Sequence, residues 1–207
     1  MTRIKICGLR RKPDMEMANL LKPDFIGFVF APSRRKVSAE EAAALREILN
    51  PGITAVGVFV NEDPRCIEKL LLTHIIDAAQ LHGSETEETV RQIRAETGKP
   101  VIKAVSVNTA ADLLPWKNSS ADWLLLDHGN GGSGQRFDWR ILKDFNRPYF
   151  LAGGLGPENI SAALSMVHPP GVDVSSGVEE NGFKDFNKTA AFIQAVRTFD
   201  QEDSYDR

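Results

Sequence analysis

The chain has 207 residues, 42% of them hydrophobic and 26% charged, the mix of a single globular domain with a sizeable core. Its formal net charge of −3, with Lys and Arg scattered, gives no footprint for nucleic acid, and no apolar run approaches the roughly 20 residues of a membrane helix. Two cysteines, Cys7 and Cys66, make no disulfide framework, and Met1-Thr2-Arg3-Ile4-Lys5 lacks a signal-peptide core, so a reduced cytoplasmic protein with no membrane partner is expected.

Apolar β-rich runs alternate with helical patterns from end to end. A first strand is predicted at about Arg3 to Cys7, with a helix near Pro13 to Leu21. A second strand spans Phe25 to Phe30, and its helix opens at Ser38 with Glu41 completing a capping box. Thr54 to Val60 reads as the third strand, before an Asp63-Pro64 helix start. The fourth, Ala78 to Leu81, precedes a second capping box, Ser84 with Glu87, and a helix through Thr97. Val101 to Ala104 forms the fifth, followed by a short helix from Thr109. Trp123 to Asp127 forms the sixth, followed by a glycine-rich loop and a helix near Asp138. Tyr149 to Ala152 is the seventh, with Pro157 opening the next helix, and Val172 to Val174 is the eighth. A last helix covers about Asp185 to Thr198, and the acidic, polar end is expected to fray.

Eight β-then-α units in 207 residues lie close to the lower limit of about 200 for a (β/α)8 TIM barrel with right-handed crossovers. A doubly wound open sheet is the competing arrangement, but it has about five or six strands and no stretch reads as a second domain. The expectation is a single-domain α/β barrel over residues 1–199 with a polar tail, 200–207. In a barrel the strands' carboxyl ends form the active face. They carry Cys7-Gly8, Phe30 to Arg35, Val60-Asn61, His82-Gly83, Asp127, Gly153-Gly154 and Ser175-Ser176-Gly177.

Two glycine turns, Gly153-Gly154 and Ser175-Ser176-Gly177, follow strands seven and eight, where this architecture binds phosphate through backbone N–H groups. Taken singly, each reads equally as a tight turn needing positive φ, and the pair on the expected strands favours phosphate. Gly129-x-Gly131-x-x-Gly134 formally matches a dinucleotide fingerprint, but no acidic residue ends the next strand. A lid beside Asp127 is the better account. His82 could orient a ligand but has no metal-ligand spacing with another histidine, so neither metal nor cofactor is expected.

Cys7 reads either as a small buried hydrophobe or as a base at the mouth of strand one. A base requires positive charge nearby, because a free thiol is only a few per cent thiolate at neutral pH. Strand alternation puts Lys5 on the face of Cys7, and Asp173 lies on the strand that closes the barrel against it. A Lys5–Asp173 pair is therefore expected as a polar floor. Asp127 ends an apolar run, Trp123 to Leu126, and is either a cap or a general acid. Acid work near pH 7 would require a shift of about 3 units, or roughly 4 kcal/mol. A thiol base and a carboxyl acid form the pair expected of a proton-transfer isomerase. Ser33-Arg34-Arg35-Lys36 is a solvated basic loop or a carboxylate site in which one guanidinium fork grips its ligand.

Lys5-Ile6-Cys7-Gly8, Gly27 to Phe30, Ser33 to Ser38, Gly57 to Asn61, Gln80 to Gly83, Leu125-Leu126-Asp127, Ala152 to Leu155 and Val172 to Glu179 together resemble the phosphoribosylanthranilate isomerases. So do Gly131 to Gly134 and Phe137 to Trp139, while His128-Gly129 departs from the Thr or Ser more usual after the aspartate. The resemblance implies a cofactor-free Amadori rearrangement of a small phosphorylated substrate in tryptophan biosynthesis. It implies Asp127 as acid, Cys7 as base, Arg35 on the anthranilate carboxylate, and the loops with Gly153, Gly154, Ser175, Ser176 and Gly177 at the phosphate, while His82 and Asp173 are expected at the substrate from their own positions. The alternatives are a histidine-pathway aminoaldose isomerase, for which two carboxylates would be expected, and a non-catalytic phosphate-ligand barrel. The sequence leaves a monomer and a homodimer equally open.

Overall fold

Eight parallel strands close into a barrel in chain order: β1 (Arg3–Cys7), β2 (Phe25–Val29), β3 (Thr54–Phe59), β4 (Ala78–Leu81), β5 (Val101–Ser106), β6 (Trp123–Asp127), β7 (Tyr149–Leu151) and β8 (Gly171–Val174). The computed structural model describes residues 1–127, 139–142 and 145–205; the glycine-rich loop after Asp127 and the helix start at Asp138 lie outside them. Closure is made by β1 against β8, with Lys5 beside Asp173 and Ile6 beside Val174.

Helices α1 (Lys12–Leu21), α2 (Ala39–Ile48), α3 (Pro64–Leu72) and α4 (Glu87–Thr97) follow the first four strands, α5 (Ile160–Val167) follows β7, and α6 (Phe186–Tyr205) follows β8. After β5 and β6 the described residues form only 3₁₀ helices, Ala110–Trp116 and Trp139–Leu142. Pro115 lies inside the first of these and, lacking a backbone N–H, leaves one turn bond unmade there. The expected caps on α2 and α3 are present. Ser38 Oγ accepts from the Glu41 N–H at 3.1 Å, and Asp63 Oδ1 accepts from the Arg65 N–H at 2.9 Å.

Strand ends move by one or two residues, most at β5, which runs past Ala104 to Ser106, and three helix boundaries also differ from the sequence expectation. The cap of α4 is Thr86 rather than Ser84, because tertiary bonds engage the expected pair. Ser84 N–H donates to Asn61 Oδ1 at 2.8 Å, while Glu87 accepts from Ser119 Oγ at 2.6 Å. Pro157 sits in a turn and α5 starts at Ile160, since Asn159 bridges the Gly154 carbonyl at 2.8 Å and the Gly156 N–H at 3.0 Å. The end does not fray after Thr198: α6 runs to Tyr205, and the Asp200 carboxylate receives the Thr2 N–H at 2.9 Å.

Period-two alternation divides the apolar residues into two shells. The larger shell, with Ile4, Ile6, Phe28, Leu81, Leu124, Leu126 and Phe192, lies between barrel and helices. The inner one contains Val56, Ala78, Ile102, Leu125 and Phe150, with Phe25 and Trp123 packed on Phe150 at ring-centroid distances of 5.3 and 4.7 Å. This aromatic plug fills the lower barrel and leaves only the upper interior for polar groups.

Candidate active site

On β1 the alternation that sends Ile4 and Ile6 outward brings Lys5 and Cys7 inward. Lys5 is completely buried, and its Nζ lies 2.7 Å from Asp173 Oδ1, so the expected polar floor is present. Burial works against the ammonium, but the Asp173 carboxylate and the Cys7 sulfur outweigh it and raise the Lys5 pKa. Gly27 on β2 makes the arrangement fit. A Cβ there would stand 2.8 Å from Cys7 Sγ and 3.3 Å from Lys5 Nζ, so only glycine leaves room for both.

Cys7 is buried, and the positive charge that a base requires stands beside it without setting its pKa. Burial pushes it up, Asp173 adds to that, and Lys5 and Lys184 only partly offset it. The resting protein therefore holds a thiol with two ammonium groups in reserve. Asp127 is half-buried at the end of β6, paired in register with Ser106 on β5, and it opens onto the same barrel mouth as Cys7.

His82 follows β4. Its Nδ1 lies 2.8 Å from the side-chain amide of the buried Gln80, and with the amide NH2 turned to the ring Nδ1 accepts and Nε2 carries the proton. Burial lowers the His82 pKa, which favours this neutral form. Beneath the same loop, buried Lys103 donates to the Gly83 carbonyl at 2.7 Å and to Glu85 Oε2 at 3.0 Å.

Gly153 and Gly154 both have positive φ, 91° and 61°, so the turn reading holds for them, and their N–H groups meet no acceptor among the described residues. Ser175 Oγ donates to the Cys7 carbonyl at 3.0 Å, tying the loop after β8 to the thiol's own backbone. Ser176 and Gly177 lie in a 3₁₀ turn, Ser176–Val178. The two loops are adjacent on one rim: a Cβ at Gly177 would stand 2.0 Å from the Leu155 carbonyl oxygen.

Arg35 does not stand free. Its Nε and Nη2 bind Glu179 Oε1 and Oε2 at 2.6 and 2.9 Å, and Arg34 and Lys184 reach the same carboxylate at 2.6 and 2.8 Å. These cations hold Glu179 at a pKa of about 2 despite its burial. Glu179 and Lys184 face each other across a hairpin, β9 (Glu179–Glu180) and β10 (Phe183–Lys184).

The sequence model of N-(5′-phosphoribosyl)anthranilate isomerases matches residues 4–195. The chain belongs to this isomerase family. The family member from Endomicrobium trichonymphae is 43% identical over 202 residues, covering 96% of this chain and all of that one. The crystal structure of phosphoribosyl anthranilate isomerase from Thermotoga maritima superposes with a TM-score of 0.88 at 39% identity, over 96% of this chain and 100% of the other. A solved isomerase in complex with reduced 1-(o-carboxyphenylamino)-1-deoxyribulose 5-phosphate gives 0.85 at 38% identity, with the same coverage.

Around the candidate site, sequence reasoning missed Gln80, Glu179 and Lys184. A signal existed for the last two. Asn181-Gly182 between short β runs is the strongest local hairpin mark, and it places Glu179 opposite Lys184. Gln80 gave none beyond sharing the inward face of β4 with His82.

Proposed function

We propose that this chain isomerises N-(5-phosphoribosyl)anthranilate to 1-(2-carboxyphenylamino)-1-deoxyribulose 5-phosphate, with Asp127 as acid and Cys7 as base. In the first step Asp127 protonates the furanose ring oxygen, the C1′–O bond breaks, and the nitrogen lone pair forms an iminium. Cys7 then takes the C2′ proton. The C–H electrons form a C1′–C2′ double bond, and the iminium π pair returns to nitrogen. The resulting enolamine gains a proton at C1′ and loses one from its C2′ hydroxyl, giving the ketone.

The observation that carries this reading is the inward thiol of Cys7 above the Lys5–Asp173 floor, in a barrel whose opposite wall ends in Asp127. The iminium acidifies the C2′–H, so a weakly basic thiolate is enough, and the reacting form is the minor one in which the Cys7 proton has already left and Asp127 carries its own. Neutral His82 offers its Nε2–H to a substrate hydroxyl. Arg35 takes the anthranilate carboxylate, and the turns at Gly153-Gly154 and Ser175-Ser176-Gly177 take the phosphate. Every group comes from one chain, so a monomer and a homodimer would carry the same site. The test is consumption of the fluorescent substrate by purified protein, alongside Cys7→Ala and Asp127→Asn. Each variant should stay folded and lose about 10²-fold or more in kcat. Near-normal turnover by either would overturn its assigned role.

A further inference from the structure

Arg35 carries five N–H donors, and the structure accounts for two. The Nε–H and one Nη2–H form a side-on fork to Glu179, while the remaining three meet no acceptor among the described residues. Two of these, one on each Nη, form a second, end-on fork. The guanidinium stem also lies flat on Gly8, where a Cβ would stand 2.4 Å from Arg35 Cδ. The end-on fork is therefore carried beside the residue that follows Cys7. In the proposed substrate only a few bonds separate the ring carboxylate from C2′.

We propose that Glu179 is a positioning residue for carboxylate recognition, locking one edge of the Arg35 guanidinium so that the other receives the anthranilate carboxylate. This rests on the reading of Arg35 given above. Glu179 is itself fixed from below. Lys184 Nζ binds its Oε1 at 2.8 Å and the Ser175 carbonyl at 2.8 Å, and Arg34 Nη2 holds its Oε2 at 2.6 Å. Three cations against one carboxylate leave the cluster positive, so Glu179 orients Arg35 without cancelling its attraction for an anion. The hairpin is in turn pinned to the loop after β1, with the Arg11 and Arg10 guanidiniums 4.0 and 4.7 Å from the centre of the Phe183 ring.

The test measures a ratio. Affinities are taken by calorimetry for reduced 1-(o-carboxyphenylamino)-1-deoxyribulose 5-phosphate and for its analogue lacking the ring carboxylate, which keeps the phosphate and sugar. Wild type should prefer the first, and Glu179→Gln should cut the preference by about tenfold while the second analogue binds as before. In an Arg35→Ala background, Glu179→Gln should change the preference no further. Equal weakening of both ligands by Glu179→Gln would mark a merely structural role, and an increased preference would mark Glu179 as a competitor; either overturns the proposal. A wild type that turns over substrate but keeps its preference in Arg35→Ala would remove the Arg35 reading and this proposal with it. A wild type without turnover would instead strike the isomerase reading.

Discussion

At the residue scale, Cys7 and Asp127 face a proton-placement problem. The chemistry requires a thiolate and a carboxylic acid together. Groups with ordinary pKa values of about 8.5 and 3.9 adopt that arrangement in only about one molecule in 10⁴ to 10⁵. Burial makes the thiol side harder, and Lys5 and Lys184 recover part of the difference. The rest falls to the substrate, whose iminium charge develops beside the sulfur. In a Cys66→Ser background the pH dependence of Cys7 alkylation should therefore have its midpoint above the ordinary thiol range. Lys184→Gln should move it higher still, because a cation that favours the thiolate is removed. A wild-type midpoint below about pH 8 would contradict this account. Gly27→Ala tests the packing directly. Its Cβ would lie 2.8 Å from Sγ and 3.2 Å from Cys7 Cα, so kcat should fall about 10²-fold or more in a protein that still folds.

At the element scale, the hairpin holding Glu179 depends on its turn. Asn181 and Gly182 have φ of 49° and 79°, the left-handed pair that a two-residue hairpin needs. A Cβ at Gly182 would meet nothing within 4 Å, so Gly182→Ala bears a purely backbone cost of about 1–2 kcal/mol. That loss, read by urea denaturation, should be accompanied by a raised KM with kcat largely kept, and an unchanged KM would detach the hairpin from substrate binding. The strands were legible in sequence because each is a short, near-continuous apolar run, buried on both faces, between helical patterns, and the barrel followed from their number. The Lys5–Asp173 pair was legible because alternation and closure together determine it. The α4 cap was not, because Ser84 is drawn to Asn61 by a contact between residues 23 apart that no local pattern encodes. The shared partner of Arg35 was hidden for the same reason, at a separation of 144 residues.

At the scale of the whole molecule, the barrel is closed twice, once by β1 on β8 and once by a clasp below it. Arg197 Nη1 donates to the Thr2 carbonyl at 2.7 Å and its Nη2 to Asp24 Oδ2 at 2.8 Å, while Asp200 takes the Thr2 N–H and hydroxyl. Asp200→Ala leaves that buried N–H unpaired and should cost about 1–3 kcal/mol with little change in kcat. Burial works against the Asp24 charge, but hydrogen bonds from Arg3, the Ile4 N–H and Arg197 outweigh it and hold the pKa below the usual 3.8. Its contribution is therefore complete above that pH and is lost as acid carries the solution down through the lowered value. The Glu179 contribution is likewise complete above about 4.5 and lost by about 2.

The closure at β1 and β8 separates what the fold needs from what the chemistry needs. Lys5 is fully buried and Asp173 nearly so, so each single substitution strands a charge in the barrel. Asp173→Asn should cost about 3–5 kcal/mol, and Lys5→Met somewhat less, because the aspartate retains some water contact. Buried pairs replaced as a unit by apolar residues of similar volume often lose little or gain stability. The double variant Lys5→Met with Asp173→Leu should therefore recover most of the loss in urea denaturation. Its kcat should nevertheless stay depressed, since the thiol would have lost its nearest cation and Asp127 would face a more apolar cavity. Recovery of stability without activity would assign the pair to catalysis. Recovery of both would leave the polar floor with no role in the reaction, and recovery of neither would make it a requirement of barrel closure.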